Sequence, residues 1–94
     1  GFLLNTLPLE LVAVVGQPDE RLGEIPVAFV VPRDPDATDA GALEEQVLDV
    51  CKGKIASFKI PRRVFVVDDM PMTASGKIQK VKLRDRAAAL LAAS

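Results

Sequence analysis

The sequence predicts an α+β domain, a small sandwich with a three-stranded central sheet and flanking helices. Three observations carry this. Three β-leaning apolar runs are bounded by Gly, Pro and Asp, and two other segments repeat apolar residues at helical spacing. The two kinds of segment are interleaved along 94 residues, a length that supports one domain over residues 1–94 with a modest core. There are no internal repeats or low-complexity tracts.

Taken in order, the segment before Leu7 reads as the end of a helix. Leu9 to Val15 is the first strand, stopped by Gly16 and the turn-forming Gln17-Pro18-Asp19. Pro26 to Val31 is the second, closed by Pro32 and a polar Arg33-Asp34-Pro35-Asp36 loop. Neither alternates cleanly, which fits strands covered on both faces. The residues between Gly16 and Pro26 read as a loop wider than a tight hairpin, with Gly23 turning the chain. Thr38 is placed to cap a helix whose early turns hold Asp39, Glu44 and Glu45, acids that suit the positive end of the helix dipole. Leu43, Val47, Val50 and Cys51 form its apolar stripe, and Lys52-Gly53-Lys54 supplies a cationic end and a glycine stop. Val64 to Val67 is the third strand. From about Val81 a second helix follows, with Leu83, Ala87, Leu90 and Leu91 on one face.

Composition removes several chemistries. With no His and one Cys, the chain can assemble neither a Ser-His-Asp triad nor a His/Cys zinc site. Cys51 reads as a small buried hydrophobe, and a lone cysteine fits a reducing, cytoplasmic setting. Asp68-Asp69 has no third oxygen ligand nearby, so no bound metal is expected. No apolar run reaches the ~18 residues of a membrane span. The chain opens at Gly1 and not Met, so an excised piece of a longer protein is one expectation.

Net charge is −1, yet the charges are segregated. Ten acids and two bases precede Cys51, a balance of −8, whereas ten bases and three acids lie from Lys52 to Arg86, a balance of +7. Such asymmetry suits an anionic partner of the size of a nucleotide or CoA, and a dipolar solvated surface accounts for it equally. Nucleic acid is disfavoured, because no aromatics interleave with the bases to stack on nucleobases.

The most informative segment is Pro71-Met72-Thr73-Ala74-Ser75-Gly76-Lys77-Ile78-Gln79-Lys80. A Thr/Ser/Gly turn presents one lysine on a nearly bare backbone. Gly76 allows dihedrals and close approaches that other residues resist, and Lys77 offers a compact, mobile charge for a phosphate or carboxylate oxygen. A P-loop is excluded, since it needs Gly five residues before the Gly-Lys pair and Ser or Thr after it, where Pro71 and Ile78 stand.

This decapeptide resembles the C-terminal signature of adenylate-forming enzymes, the group of acyl-CoA synthetases, luciferases and peptide-synthetase adenylation domains. Val14-Val15-Gly16-Gln17-Pro18-Asp19 with Gly23 to Val31 resembles the first two strands of that family's mobile C-terminal domain. Phe58-Lys59-Ile60-Pro61 and Val64 to Asp68 resemble the segment leading into the signature, so the likeness runs from about Leu11 to Arg86. Met72 replaces the signature's usual basic residue, and Lys80 stands where arginine is commoner.

The resemblance implies a small α+β unit that works with a large N-terminal adenylation domain absent from this chain. In such ligases ATP, taken with Mg, and a carboxylic acid give an acyl-adenylate and pyrophosphate, and a thiol such as that of CoA then forms a thioester. Lys77 would be the adenylation lysine, with Ser75 and Gly76 beside it at the substrate and ATP. The domain then rotates and withdraws that lysine. Lys52 matches a basic position near a helix end that touches the CoA nucleotide in some members, which makes Lys52 and Lys54 candidates, although partnering the C-terminal dipole of their own helix serves equally as an explanation. Glu24 and Pro26 are assigned to structure. The implied activity is that of an acid–thiol ligase, most like an acyl-CoA or fatty-acid–CoA synthetase, with this piece inactive alone. A peptide-synthetase subdomain and a free-standing nucleotide- or partner-binding module are the alternatives.

Overall fold

In the computed structural model, which describes residues 7–54 and 59–93, five main elements follow one another. They are β1 (Leu9–Asp19), β2 (Gly23–Pro32), α1 (Ala40–Cys51), β3 (Arg63–Val66) and α2 (Lys80–Ala92), with a 3-10 turn at Pro35–Ala37. The sheet order is β1-β2-β3, with β1 antiparallel and β3 parallel to the central β2. The expected α+β sandwich is what forms. The helix end expected before Leu7, and Phe58, lie outside the described residues.

The central β2 has helix residues packed on both its faces, and every residue from Val27 to Pro32 is buried. Ala28 and Val30 meet Leu43, Val47 and Cys51 of α1 together with Val64 of β3. Val27, Phe29 and Val31 point the other way, to Leu83 and Ala87 of α2 with Ala13, Val15 and Met70. The sheet thus separates an α1 layer from an α2 layer. Leu9 shares its parity with Ala13 and Val15 but packs in the α1 layer, because a register irregularity between Leu9 and Leu11 flips the side-chain alternation. Phe29 and Phe65, cross-strand partners with ring centroids 5.5 Å apart, fill the α2 side, and the Arg63 guanidinium lies 5.1 Å from the centre of the Phe65 ring.

Four local expectations need correction. The wide loop after Gly16 is instead a tight connection. β1 continues to Asp19, β2 starts at Gly23, and only Glu20, Arg21 and Leu22 lie between. The Asp19 carboxylate accepts the backbone N–H of Arg21 at 3.1 Å and of Leu22 at 2.7 Å, and Gly23 takes φ +82°. Pro18 does not stop the strand, because β1 is an edge and needs donors on one side only.

The helix cap is Asp39, not Thr38. Asp39 Oδ1 accepts the Ala42 N–H at 3.2 Å, while the Thr38 hydroxyl donates to the Asp34 carbonyl at 2.6 Å and closes the 3-10 turn that Pro35 begins. β3 starts one residue early, at Arg63, although the Val67 N–H still reaches the Val30 carbonyl at 3.0 Å. On α2 the core-facing line runs through buried Leu83 and Ala87 to half-buried Leu91 at four-residue steps, leaving Leu90 at its margin, 36% exposed. Leu43, Val47 and Cys51 are buried as expected, and Gly53 at φ +77° stops α1. Among the described residues no helix is long and apolar enough to cross a membrane.

Candidate functional site

The signature segment leaves β3 under close control. Met70 is 5% exposed and packs in the α2 layer, and Arg86 of α2 donates from Nη1 to the Asp69 carbonyl at 3.3 Å. Beyond this anchor the chain makes a small hairpin. Met72 and Ile78 pair as an antiparallel bridge, and the Gln79 N–H bonds the Pro71 carbonyl at 2.8 Å. Ile78 turns inward onto the α2-side core. Strand alternation sends its neighbour Lys77 the other way, and Lys77 is exposed.

The tip is held by its own polar groups. The Thr73 carbonyl accepts the Gly76 N–H at 3.0 Å, and the Thr73 N–H donates to the Lys77 carbonyl at 2.7 Å. The Lys77 N–H donates to the Thr73 hydroxyl oxygen at 3.0 Å, and that hydroxyl shares a 3.0 Å hydrogen bond with the Ser75 hydroxyl. Gly76 has φ +87°, with no atom within 4 Å of where a Cβ would stand. Its need is therefore dihedral and not spatial, as expected for the glycine that follows a tight hairpin turn. Ser75, Gly76 and Lys77 are brought together on one solvent-facing tip, and among the described residues Lys77 makes no salt bridge.

Lys52 and Lys54 lie elsewhere. Lys52 is the C-cap of α1, its N–H bonded to the Leu48 carbonyl at 3.2 Å, and both lysines are exposed. The Lys52 ammonium pairs with Asp49 at 3.7 Å, with both side chains about 70% exposed, so water and salt screen most of the attraction. They follow the end of α1, whereas the Lys77 hairpin is anchored through Met70 and Ile78 on the α2 side. The structure does not gather these lysines into one site.

Sequence reasoning missed three contributors: Met70, the Thr73 hydroxyl and Gln17. A lone apolar residue between Asp69 and Pro71, and a Thr four residues before the lysine, were the available signals. Gln17 lies within β1, opposite Ile25, and not in a turn. It is 5% exposed on β1, and its amide donates to the Arg84 carbonyl of α2 at 3.0 Å. Where β1 and β2 run side by side, Val14, Val15, Gly16, Glu24, Ile25 and Pro26, with Lys59, line an open groove of about 490 Å³. Glu24 lies across Gly16, in the space a Cβ there would occupy. Among the described residues no three side chains suited to a metal gather.

The family model for the AMP-binding enzyme C-terminal domain matches residues 3–77, ending on the signature lysine. The chain belongs to that family. This AMP-binding enzyme C-terminal domain is 46% identical over 78 residues to the 2-succinylbenzoate–CoA ligase of Listeria innocua, a match covering 83% of the chain and 15% of that protein. Among solved structures it is similar to an acyl-CoA synthetase of Brucella canis, with TM-score 0.81 and 32% identity over 95% of this chain and 16% of that one. A fatty acyl-CoA synthetase of Mycobacterium tuberculosis gives TM-score 0.79 and 32% identity, over 95% of this chain and 17% of that one. The chain thus spans about a sixth of the length of these relatives.

Proposed function

We propose that this domain serves an ATP-dependent acid–thiol ligase of the acyl-CoA synthetase type and that Lys77 is its adenylation lysine. The observation that carries the reading is the Thr73–Lys77 hairpin, which holds an exposed ammonium at the tip of a rigid, core-anchored turn. The active site would be completed by a large N-terminal adenylation domain that receives this tip and binds ATP with its Mg.

In the first half-reaction a carboxylate oxygen attacks the α-phosphorus of ATP and pyrophosphate leaves. Two anions must meet, and negative charge builds on the phosphoryl oxygens and the leaving group. A positioned ammonium from Lys77 offsets the repulsion and stabilises that transition state, while Ser75 and the bare backbone at Gly76 let the tip enter a narrow site. The second half-reaction, attack of a thiol on the acyl carbon with loss of AMP, has no use for that charge. A rotation that withdraws Lys77 would open the thiol's path.

The placement of Lys52 and Lys54 at the end of α1, and of Lys77 on the hairpin, suits a domain that presents different surfaces in the two steps, with these lysines near the CoA phosphates. The CoA-ligase names among the relatives favour CoA over a carrier-protein thiol as acceptor. A cytoplasmic setting accords with ATP and CoA as substrates.

The test uses the full-length enzyme that carries this domain. Lys77→Ala slows acyl-adenylate formation by about 10²-fold or more, the scale of losing a preorganised electrostatic group, while thioester formation from supplied acyl-adenylate is largely retained. Equal losses in both half-reactions would remove Lys77 from this role.

A further inference from the structure

We propose that Thr73 is a positioning residue for Lys77, setting the direction of the lysine through its hydroxyl; the inference rests on the adenylation role proposed above. In a regular antiparallel pair, two facing residues exchange two backbone hydrogen bonds. Thr73 and Lys77 make one of them, from the Thr73 N–H to the Lys77 carbonyl at 2.7 Å. The return bond has lost its usual acceptor, because the Thr73 carbonyl is taken by the Gly76 N–H at 3.0 Å. The Thr73 hydroxyl takes its place and accepts the Lys77 N–H at 3.0 Å. A side chain, and not the ladder, thereby fixes the peptide plane from which the lysine springs.

The same oxygen bonds the Ser75 hydroxyl at 3.0 Å, so the tip's three polar residues form one connected unit. Thr73 is half-buried while Ser75 and Lys77 are exposed, so these bonds, together with the inward anchor at Ile78, constrain where the Lys77 Cα–Cβ bond points. An electrostatic catalyst loses effect when its charge is displaced by as little as 1 Å, so the hydroxyl acts on rate through the lysine.

Thr73→Val and Thr73→Ser in the full-length enzyme separate this role from packing. Valine keeps the shape and raises strand propensity but cannot accept a hydrogen bond, whereas serine keeps the acceptor and loses a methyl group. Thr73→Val lowers the kcat of acyl-adenylate formation by about fivefold, the scale of one net hydrogen bond. KM for ATP and for the acid stay near wild type, and thioester formation from supplied acyl-adenylate is unchanged. Thr73→Ser restores the adenylation rate. A wild-type rate in Thr73→Val, an equal loss in Thr73→Ser, or equal losses in the two half-reactions overturns the proposal. Lys77→Ala, measured alongside, tells the two readings apart. If it is slow while Thr73→Val is not, the positioning role alone falls; if it is itself unimpaired, the adenylation reading falls and this one with it.

Discussion

Gln17 and Arg84, 67 residues apart in sequence, are joined by a 3.0 Å hydrogen bond from the Gln17 amide to the Arg84 carbonyl. The bond ties the edge strand β1 to α2, the helix that follows the signature hairpin directly. The amide is almost fully buried, and among the described residues no buried side-chain nitrogen or oxygen lacks a partner. A hydrogen bond in that setting specifies how α2 seats on the sheet, because any other seating strands a polar group.

Gln17→Glu therefore destabilises more than Gln17→Leu. Leucine removes the donor together with its need for a partner, a nearly neutral change apart from about 1 kcal/mol of lost hydrogen bonding. A buried Glu must keep its proton to donate to the Arg84 carbonyl, so its folded pKa lies above the unfolded one. Its bond is fully present below the unfolded pKa and is lost as pH rises through the folded pKa. Thermal melts across pH 4–8 check this: a melting temperature for Gln17→Glu that falls with pH relative to Gln17→Leu is expected, and parallel profiles would contradict it.

Gly76 sits at φ +87° with open space around it. Gly76→Ala strains the turn by about 1–2 kcal/mol without any clash. Gly76→Asn, which tolerates that region better, is milder. The cost falls on the hairpin and not on the distant core, so if Lys77 serves as proposed, adenylation by the full-length enzyme slows in the order Ala, Asn, Gly while the melt shifts little. Were the two variants equally slow, crowding or lost backbone access would be the cause and not dihedral strain.

Replacing Lys52 and Lys54 together by Ala separates CoA contact from a purely helical role. Two exposed phosphate contacts at roughly 0.5–1 kcal/mol each predict a five- to thirtyfold rise in KM for CoA, shrinking as salt rises, with adenylation intact. Service to the α1 dipole predicts a small drop in melting temperature and no change toward CoA. Steady-state kinetics at two ionic strengths, with dephospho-CoA as comparison, decides between them.

Cys51 is 1% exposed, and burial raises its thiol pKa from the ordinary 9.0. The unfolded chain releases this proton first, so the thiol's contribution to stability is intact below about pH 9 and is lost as pH climbs above it. Wild type is thus expected to lose melting temperature more steeply than Cys51→Ala between pH 8.5 and 10. Alkylation of native protein at pH 7 is slow for the same reason. Identical alkaline slopes would remove the thiol as the cause.

Much of the molecule was legible in one dimension. The buried run from Val27 to Val31 announced a strand covered on both faces. The spacing of Leu43, Val47 and Cys51 announced the buried face of α1, and Thr73 to Lys77 announced a glycine turn carrying a lysine. These readings succeeded because strand and helix periodicity and the dihedral freedom of glycine are local properties, written within a few residues. The errors share the opposite character. Pro18 read as a strand breaker because its place on a sheet edge is a fact about β2. Thr38 and Asp39 are both able caps, and in the fold the Thr38 hydroxyl bonds the Asp34 carbonyl while Asp39 caps the helix.

The sequence by itself determined the element types, the apolar faces and the identity of the lysine-bearing turn. Tertiary structure alone decided that the sheet separates an α1 layer from an α2 layer, that Met70 and Ile78 pin the hairpin to the core, and that Gln17 binds Arg84. The physical reason is that partition into layers and satisfaction of buried polar groups depend on contacts across tens of residues, which no local pattern records.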